Sequence, residues 1–441
     1  MGWTGLLLYA YPGYMSFDSL AQLDQARSGA LLDDHPPAMA VIWEYSEAII
    51  KGPLGMLLLQ TACLVGGLYL VFATRTTQRR AAILASLVLW FPPVANTMSV
   101  IWKDSQMAGY LVLGTGLLLS PRLRVRLGGL ALIGLGTAMR HNALAMTFPL
   151  VTLLFYGREA HPWWKRYAIA LVAWLAITLA ASTTTSMLAQ HHTFMWHRSL
   201  ALLDMTGTLR YAEPIPDASL DATLAGTPLL IHDHYQEHAR AHLDPNASPT
   251  DDLWNATGAL FDRSAQPGVA QRSATSRAWR TIISAHPMAY LKYRLVVFAQ
   301  LVQLDGTQLG SPIYCWFTDV QSPYESGVRV GHLVAPSHLQ STLQQAMIWT
   351  GSTWVFHVGF YLILAVLLLP LCWRDRESFA IVGSGLTGQL GLLVISPTVD
   401  VRYSFWLIFA TSLGALLVAL RRVKRRGSLQ TRRSTHPGGT L

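Results

Sequence analysis

Five short clusters in this 441-residue chain hold proton-transfer groups, cations or both. They are Asp18, closing the stretch Tyr11-Pro12-Gly13-Tyr14-Met15-Ser16-Phe17-Asp18; Asp33-Asp34-His35-Pro36-Pro37; Trp102-Lys103-Asp104-Ser105; Arg140-His141-Asn142; and Asp400-Val401-Arg402-Tyr403. A carboxylate held within hydrogen-bond reach can take a proton from an attacking group. Arginine grips an oxyanion with two parallel hydrogen bonds, where lysine offers a point charge. Each cluster also has a plainer reading. Asp18 is a favoured residue for capping the helix that starts there, and His35 can simply orient its turn. Lys103 can be a snorkelling anchor with Asp104 as its partner, and Asp400 can pair with Arg402. Arg140-His141 is different, because two potential cations at the end of an apolar run point to anion binding. No Gly-rich phosphate loop, Walker motif, zinc signature or catalytic-serine elbow occurs in the chain.

The elements that must position these residues follow from composition. Hydrophobic residues make up 51% of the chain and charged residues 13%, against roughly 25% charged in soluble domains. An all-α polytopic membrane protein is expected. A helix needs about 20 residues to cross a ~30 Å hydrocarbon core. Apolar runs that approach this occur at about 53–73, 81–98, 106–120, 127–139, 142–157, 167–187, 347–371, 378–396 and 404–420. Gly2 to Ala10 is a further, half-length span without the basic start or cleavage site of a signal peptide. It reads as a first span shortened by a late start codon, which makes about ten.

Basic residues orient these spans. The segments Thr74–Arg80, Pro121–Arg126, Arg158–Arg166, Arg374–Glu377 and the tail from Arg421 hold 18 of the 33 Lys and Arg but only 3 of the 24 acidic residues. The positive-inside rule places them in the cytoplasm of a bacterial inner membrane, so all five chemical clusters fall on the outer face. The net charge of +9 is then a topology signal and not a nucleic-acid signal. The tail Arg421-Arg422-Val423-Lys424-Arg425-Arg426 suits anionic lipid headgroups, or is a plain stop-transfer flank. Cys63, Cys315 and Cys372 are divided by this topology, so no internal disulfide is expected. Asn246-Ala247-Ser248 and Asn255-Ala256-Thr257 are sequons.

Four regions follow: a membrane module over 1–190, an outer domain over 191–345, terminal spans over 346–420 and the basic tail over 421–441. In the first outer loop, Leu20, Leu23, Ala26 and Ala30 recur at helical spacing between Asp18 and Gly29, as in a surface helix. A second such helix starts after His35-Pro36-Pro37 and runs to Gly52-Pro53. In the outer domain, Ala274–Gln303 has helical periodicity broken at Ala285-His286-Pro287. His234, His238 and His242 would share a helix face beside Ile231-His232-Asp233, and an exposed polar helix explains them better than a metal site does.

An acidic residue in a long first outer loop, two surface helices there, His35-Pro36-Pro37, Lys103-Asp104 and a late outer Arg402 together resemble the GT-C superfamily. Its members are polyprenyl-phosphate-sugar-dependent glycosyltransferases and include protein O-mannosyltransferases and lipid A aminoarabinose transferases. The resemblance covers residues 1–190 and, loosely, the final spans. Asp18-Ser19-Leu20-Ala21-Gln22 and His286-Pro287-Met288-Ala289-Tyr290-Leu291 look like segments of a bacterial branch of that superfamily. The likeness implies a sugar moved from a polyprenyl-phosphate donor to an envelope glycan, lipid or protein, through an oxocarbenium-like transition state. Asp18 would be the general base, assisted by Asp104. Lys103, Arg140 and Arg402 would meet the departing phosphate, with Asp34, His35 and His141 lining the substrate site. No cofactor is implied, and a divalent metal is not indicated, because a monophosphate donor has no diphosphate for a metal to bridge. Asp18 departs from the family's acidic pair, since Asp33-Asp34 come later in the loop, which leaves the base and any metal open. Two other classes stay in view. A transporter or flippase would carry ionisable residues deep in its spans, where this chain has few, and an envelope-assembly subunit would need no catalysis.

Overall fold

A computed structural model of the protein describes residues 2–155, 162–231, 234–242, 257–263, 266–304, 312–314, 336–396 and 399–434. Among these, regular structure is helical, with only isolated bridges between Tyr14 and Val100, Leu32 and His191, and Leu229 and Phe261. The sequons at Asn246 and Asn255, Cys315 and the pair His232-Asp233 lie outside the described residues.

The chain opens with α1 (Gly2–Ala10), then two helices that flank the first chemical cluster, α2 (Phe17–Ser28) and α3 (Ala38–Ile49). Helix α2 ends at Gly29, whose φ of 72° is the left-handed cap that glycine adopts freely. Leu20, Leu23 and Ala26 are buried as their spacing predicts, while Ala30 lies past the cap and is exposed. The membrane module continues with α4 (Leu54–Ala73), α5 (Gln78–Leu89), α6 (Pro92–Ser99), α7 (Lys103–Leu118), α8 (Leu123–Met139), α9 (Ala143–Val151) and α10 (Trp163–Leu188).

Ten full spans are not what these helices provide. Among the described residues, four helical segments are long and apolar enough to cross a membrane: Leu54–Ala73, Trp163–Leu188, Arg376–Ile395 and Val401–Lys424. Helices α5 and α6 together make a fifth candidate, bent by 74°. The bend has a local cause. Proline lacks the N–H that would continue the helix, and it drives the preceding residue out of the α region; Phe91 accordingly has φ −61° and ψ 123° before Pro92-Pro93. The run at 142–157 is broken likewise, with Pro149 inside α9 and a 3-10 turn over Thr152–Phe155. The run at 347–371 divides at Gly351-Ser352-Thr353 into α16 (His338–Gly351) and α17 (Val358–Cys372). The chain is a multi-pass membrane protein whose apolar runs are interrupted.

Helices α4, α7 and α8 pack tightly because glycines line their contacts. A Cβ on Gly67 would stand 2.4 Å from the Leu113 backbone nitrogen, and one on Gly109 would stand 2.8 Å from the Gln60 carbonyl. Small residues at such seams let backbones approach where lipid supplies no hydrophobic drive. Helix α10 is exposed along most of its length, with only Ala170 and Ala181 buried.

Beyond α10, helix α11 (Ala201–Tyr211) packs with α13 (Tyr235–His242), α14 (Val269–Ala285) and α15 (Pro287–Leu301), and α12 (Asp217–Leu224) packs against α14. Leu202, Met205, Leu209, Leu224, Phe261 and Ile282 form its core. The break between α14 and α15 falls at His286, as Ala285-His286-Pro287 predicts. Asp204 of α11 forms a buried ion pair with Arg294 of α15 and accepts a hydrogen bond from the Trp279 indole at 3.0 Å. Tyr293, Val297 and Leu301 of α15 share a core with Leu392 of α18 (Arg376–Ile395) and with Val399, so this region is anchored on the last helices. The final helix is α19 (Phe405–Ser434), entered through a 3-10 turn at Val401–Ser404.

Candidate active site

The first cluster is zipped onto the chain leading into the third, Trp102-Lys103-Asp104-Ser105, by backbone bonds. Tyr14 N donates to Ser99 O at 3.0 Å, and Ile101 N donates to Tyr14 O at 2.9 Å. Side chains complete the join: the Trp102 indole donates to Ser16 Oγ at 2.6 Å and Ser19 Oγ donates to Ile101 O at 2.7 Å. Ser16, not Asp18, is the N-cap residue of α2, and Ser19 Oγ accepts from its backbone N–H at 3.0 Å. Asp18 is therefore free of the capping role. It lies in the first turn, where a carboxylate also gains from the helix dipole, beside Lys103 at the start of α7.

Its partner comes from the other end of the chain. Arg402 Nη1 donates to Asp18 Oδ2 at 2.6 Å, while Arg402 Nε lies 2.8 Å from Asp400 Oδ2. The guanidinium also rests over the Trp102 and Tyr403 rings, each centroid 5.3 Å away. Arg402 therefore pairs with Asp400, the plainer reading, and also reaches Asp18 and Trp102 of the other clusters. Arg140 closes α8 in extended conformation, donates to Asp104 and lies 4.9 Å from the Tyr403 centroid. His35 completes the group: its Nδ1 meets the Lys103 ammonium, and its Nε2 faces Asp18 Oδ1 at 3.8 Å. A protonated lysine only donates, so Nδ1 is the acceptor and the ring proton is assigned to Nε2, pointing at Asp18. Asp34 Oδ1 accepts from the His35 backbone N–H at 2.7 Å and holds the turn.

These residues line one cavity of about 1010 Å³. All eight sequence candidates are on its wall: Asp18, Asp34, His35, Lys103, Asp104, Arg140, His141 and Arg402. Asp400 was read only as a partner of Arg402, and it lines the cavity too. The wall formed by Phe194 to Leu200, together with Ala181, Ser182, Thr185 and Ser186 of α10, carried no chemical signal in the sequence. Asp33 acts as a tie. Its Oδ1 accepts from Thr193 N at 2.5 Å and Thr193 Oγ1 at 2.6 Å, and its Oδ2 lies 2.9 Å from His192 Nδ1.

The electrostatics of the free site follow from this packing. Burial alone would raise the Asp18 carboxyl, but Arg402, Lys103 and His35 hold it far below the usual carboxylate range. Burial raises Asp400, and Arg402 only partly offsets it. Burial, then the Lys103 charge, pushes the His35 imidazole down, so it is neutral at neutral pH. Burial lowers Lys103 to about 8, against the pull of Asp18. Lys103, Arg140 and Arg402 are thus set among three carboxylates, Asp18, Asp104 and Asp400, with Arg140 and Arg402 in direct ion pairs, on the lining of this cavity. Among the described residues no group of three or more His, Cys, Asp or Glu could hold a metal ion. His234 is exposed, with Asp217 and Glu237 at 3.6 and 3.8 Å from its Nδ1.

No family model and no curated protein matches the chain. Among solved structures, the chain is similar over 94% of its length, and 76% of the other's, to the crystal structure of ArnT from Cupriavidus metallidurans bound to undecaprenyl phosphate. Identity is 13% and the TM-score 0.34, a likeness too distant to carry an assignment.

Proposed function

We propose that the chain is a membrane glycosyltransferase that moves a sugar from a polyprenyl-phosphate donor to a hydroxyl acceptor at this cavity. One observation carries the reading: Lys103 at the start of α7, Arg140 at the end of α8 and Arg402 in the turn before α19 converge beside Asp18 at the end of apolar helices. A lipid-linked phosphate keeps its tail in the bilayer, so its head group arrives at the level where these cations stand. In the reaction the acceptor oxygen attacks the anomeric carbon, the bond from that carbon to the phosphate oxygen breaks, and the phosphate leaves with its electron pair. The acceptor proton passes to Asp18.

The ion pair qualifies the role of Asp18. While Arg402 holds it, the carboxylate is a weak base. An incoming phosphate competes for Arg402, and each bond it draws away makes Asp18 more basic, so donor binding arms the base. The acceptor is an envelope glycan, lipid or protein. A transporter or flippase is the less economical reading, because the charged residues of this site gather at one end of the helices and not along a path through them.

Purified protein supplied with a polyprenyl-phosphate sugar tests the proposal. Asp18→Asn keeps the shape of the turn, and Ser16 still caps the helix, so folding should persist while turnover falls about 10²–10⁴-fold. Turnover within threefold of wild type would remove Asp18 from the mechanism. No transfer by the wild type to any hydroxyl acceptor, with sugar or lipid moving across vesicles instead, would favour transport.

A further inference from the structure

The cavity has two unlike walls, and the second one has no place in the phosphate chemistry. It is built by the segment that follows α10, from Phe194 to Leu200, and it contributes Phe194, Met195, Trp196, His197, Ser199 and Leu200. We infer that this wall is a subsite for an uncharged, hydroxyl-bearing acceptor of saccharide type, stacked against Trp196 and hydrogen-bonded by Ser199. The inference rests on the reading of the opposite, cationic wall as the phosphate side.

Three independent features point to a ligand there. First, Ser199 is 3% exposed, yet its Oγ has no hydrogen-bond partner within the protein, and Asn142 Oδ1 on the same cavity is likewise unpartnered. Burying such a group without a partner is costly, which a ligand hydroxyl would relieve. Second, the backbone departs from easy geometry at this wall. Phe194 has φ 51°, uncommon for a bulky residue, and Trp196–Leu200 is a π-helical turn. Strain and π-turns persist where packing enforces them, and they gather at functional sites. Third, the aromatic groups are held rigid. The Trp196 ring meets Trp279 edge-on at 5.5 Å, Trp279 is fixed by Asp204 at 3.0 Å, and the Arg272 guanidinium stacks on Phe194 at 3.5 Å.

Charge decides the class of ligand. The side chains of this segment that line the cavity are uncharged, and Arg198 and Arg272 are not among the lining residues. Arg198 donates to the Arg263 carbonyl and Arg272 is engaged with Phe194, while Asp33 is consumed by Thr193 and His192. The His197 ring bonds to Ser276 at 3.0 Å and is kept neutral by burial and by Arg272. A phosphorylated or carboxylated acceptor would lose its hydration here without gaining a counter-charge, whereas sugar hydroxyls and a sugar's apolar face would be matched. The volume of about 1010 Å³ is at the upper end of the ~300–1,000 Å³ of single-ligand pockets, which leaves room for both substrates.

The test is retention on an array of neutral and anionic oligosaccharides, with full-length protein in nanodiscs. Polyprenyl phosphate binding by the wild type is measured in parallel. Neutral glycans should be retained and their phosphorylated or carboxylated counterparts not. Trp196→Ala should weaken retention roughly 2- to 12-fold and Trp196→Phe much less; Ser199→Ala should weaken it by a similar factor. Retention of anionic glycans alone, of none, or equal retention by Trp196→Ala and wild type would overturn the subsite. Failure of the wild type to bind polyprenyl phosphate while neutral glycans are held would instead strike the proposed reaction and leave the subsite standing.

Discussion

At the scale of single residues, Lys103 ties the site to pH. Its ammonium is lowered to about 8 by burial, despite Asp18 nearby. Anion binding needs the protonated form, so affinity for a polyprenyl phosphate should be full below pH 8 and should fall as pH rises through it. Lys103→Arg keeps the charge at every accessible pH and should flatten the profile, though with altered geometry. Isothermal titration at pH 6.5, 7.5 and 9 reads this directly, and an unchanged affinity for wild type across the series would take Lys103 out of the phosphate site. The chemistry of each residue type was legible in the sequence, as was the local pair of Asp400 with Arg402; the long-range pairings were not. Asp18 and Arg402 are 384 positions apart, and nothing local to either announces the other. Ser16 is the opposite case, because a serine two residues before Asp18 was an available cap that a reading centred on the carboxylate passed over.

At the scale of elements, helix existence was easier to read than helix continuity. Helices α2 and α3 follow from apolar spacing, Gly29 and Pro36-Pro37, and they appear where those signals place them. The breaks at Pro92-Pro93, Pro149 and Gly351-Ser352-Thr353 were also written in the chain, but mean hydropathy outweighed them. The seam between α4 and α7 belongs to a third kind. Gly66 and Gly67 are neighbours with the same local propensity, yet a Cβ on Gly66 meets Leu113 Cδ1 at 3.8 Å, and one on Gly67 meets backbone at 2.4 Å. Gly67→Ala should therefore destabilise by about 1–3 kcal/mol through overpacking. Gly66→Ala should be neutral or slightly stabilising, because it only removes helix-opposing freedom. Thermal unfolding in detergent compares the two, and equal melting temperatures would mean that the helices do not approach closely. Because α7 carries Lys103 and Asp104 at its first turn, Gly67→Ala should also lower the affinity for a polyprenyl phosphate by displacing α7, with no residue of the site itself replaced.

At the scale of the whole molecule, charge is sorted between two ends. The sequence candidates line the cavity, whereas the segments richest in arginine meet elsewhere. Arg75, just past the far end of α4, pairs with Asp375 at 2.6 Å and Glu377 at 2.7 Å, and Arg421 approaches Asp375 at 3.6 Å. Those residues come from three of the basic segments that the charge distribution assigns to the cytoplasm. Their meeting is a packing fact that the topology rule could not foresee. Glu377 is fully buried, so Arg75 there also neutralises a carboxylate that would be costly to leave alone. If the basic end faces the cytoplasm, the cavity opens on the other side, where an envelope acceptor and the head of a lipid-linked donor are both at hand. Single cysteines in a background with Cys63, Cys315 and Cys372 replaced by serine test this in intact cells. Ser28 and Ala225 are exposed near the cavity end and in the region beyond α10, and Thr77 and Arg124 are exposed at the basic end. A membrane-impermeant maleimide should label the first two without permeabilisation and the second two only after it. The reverse pattern would put the cavity in the cytoplasm, where a nucleotide-linked sugar could reach it, and the lipid-linked donor would lose its advantage over that soluble one.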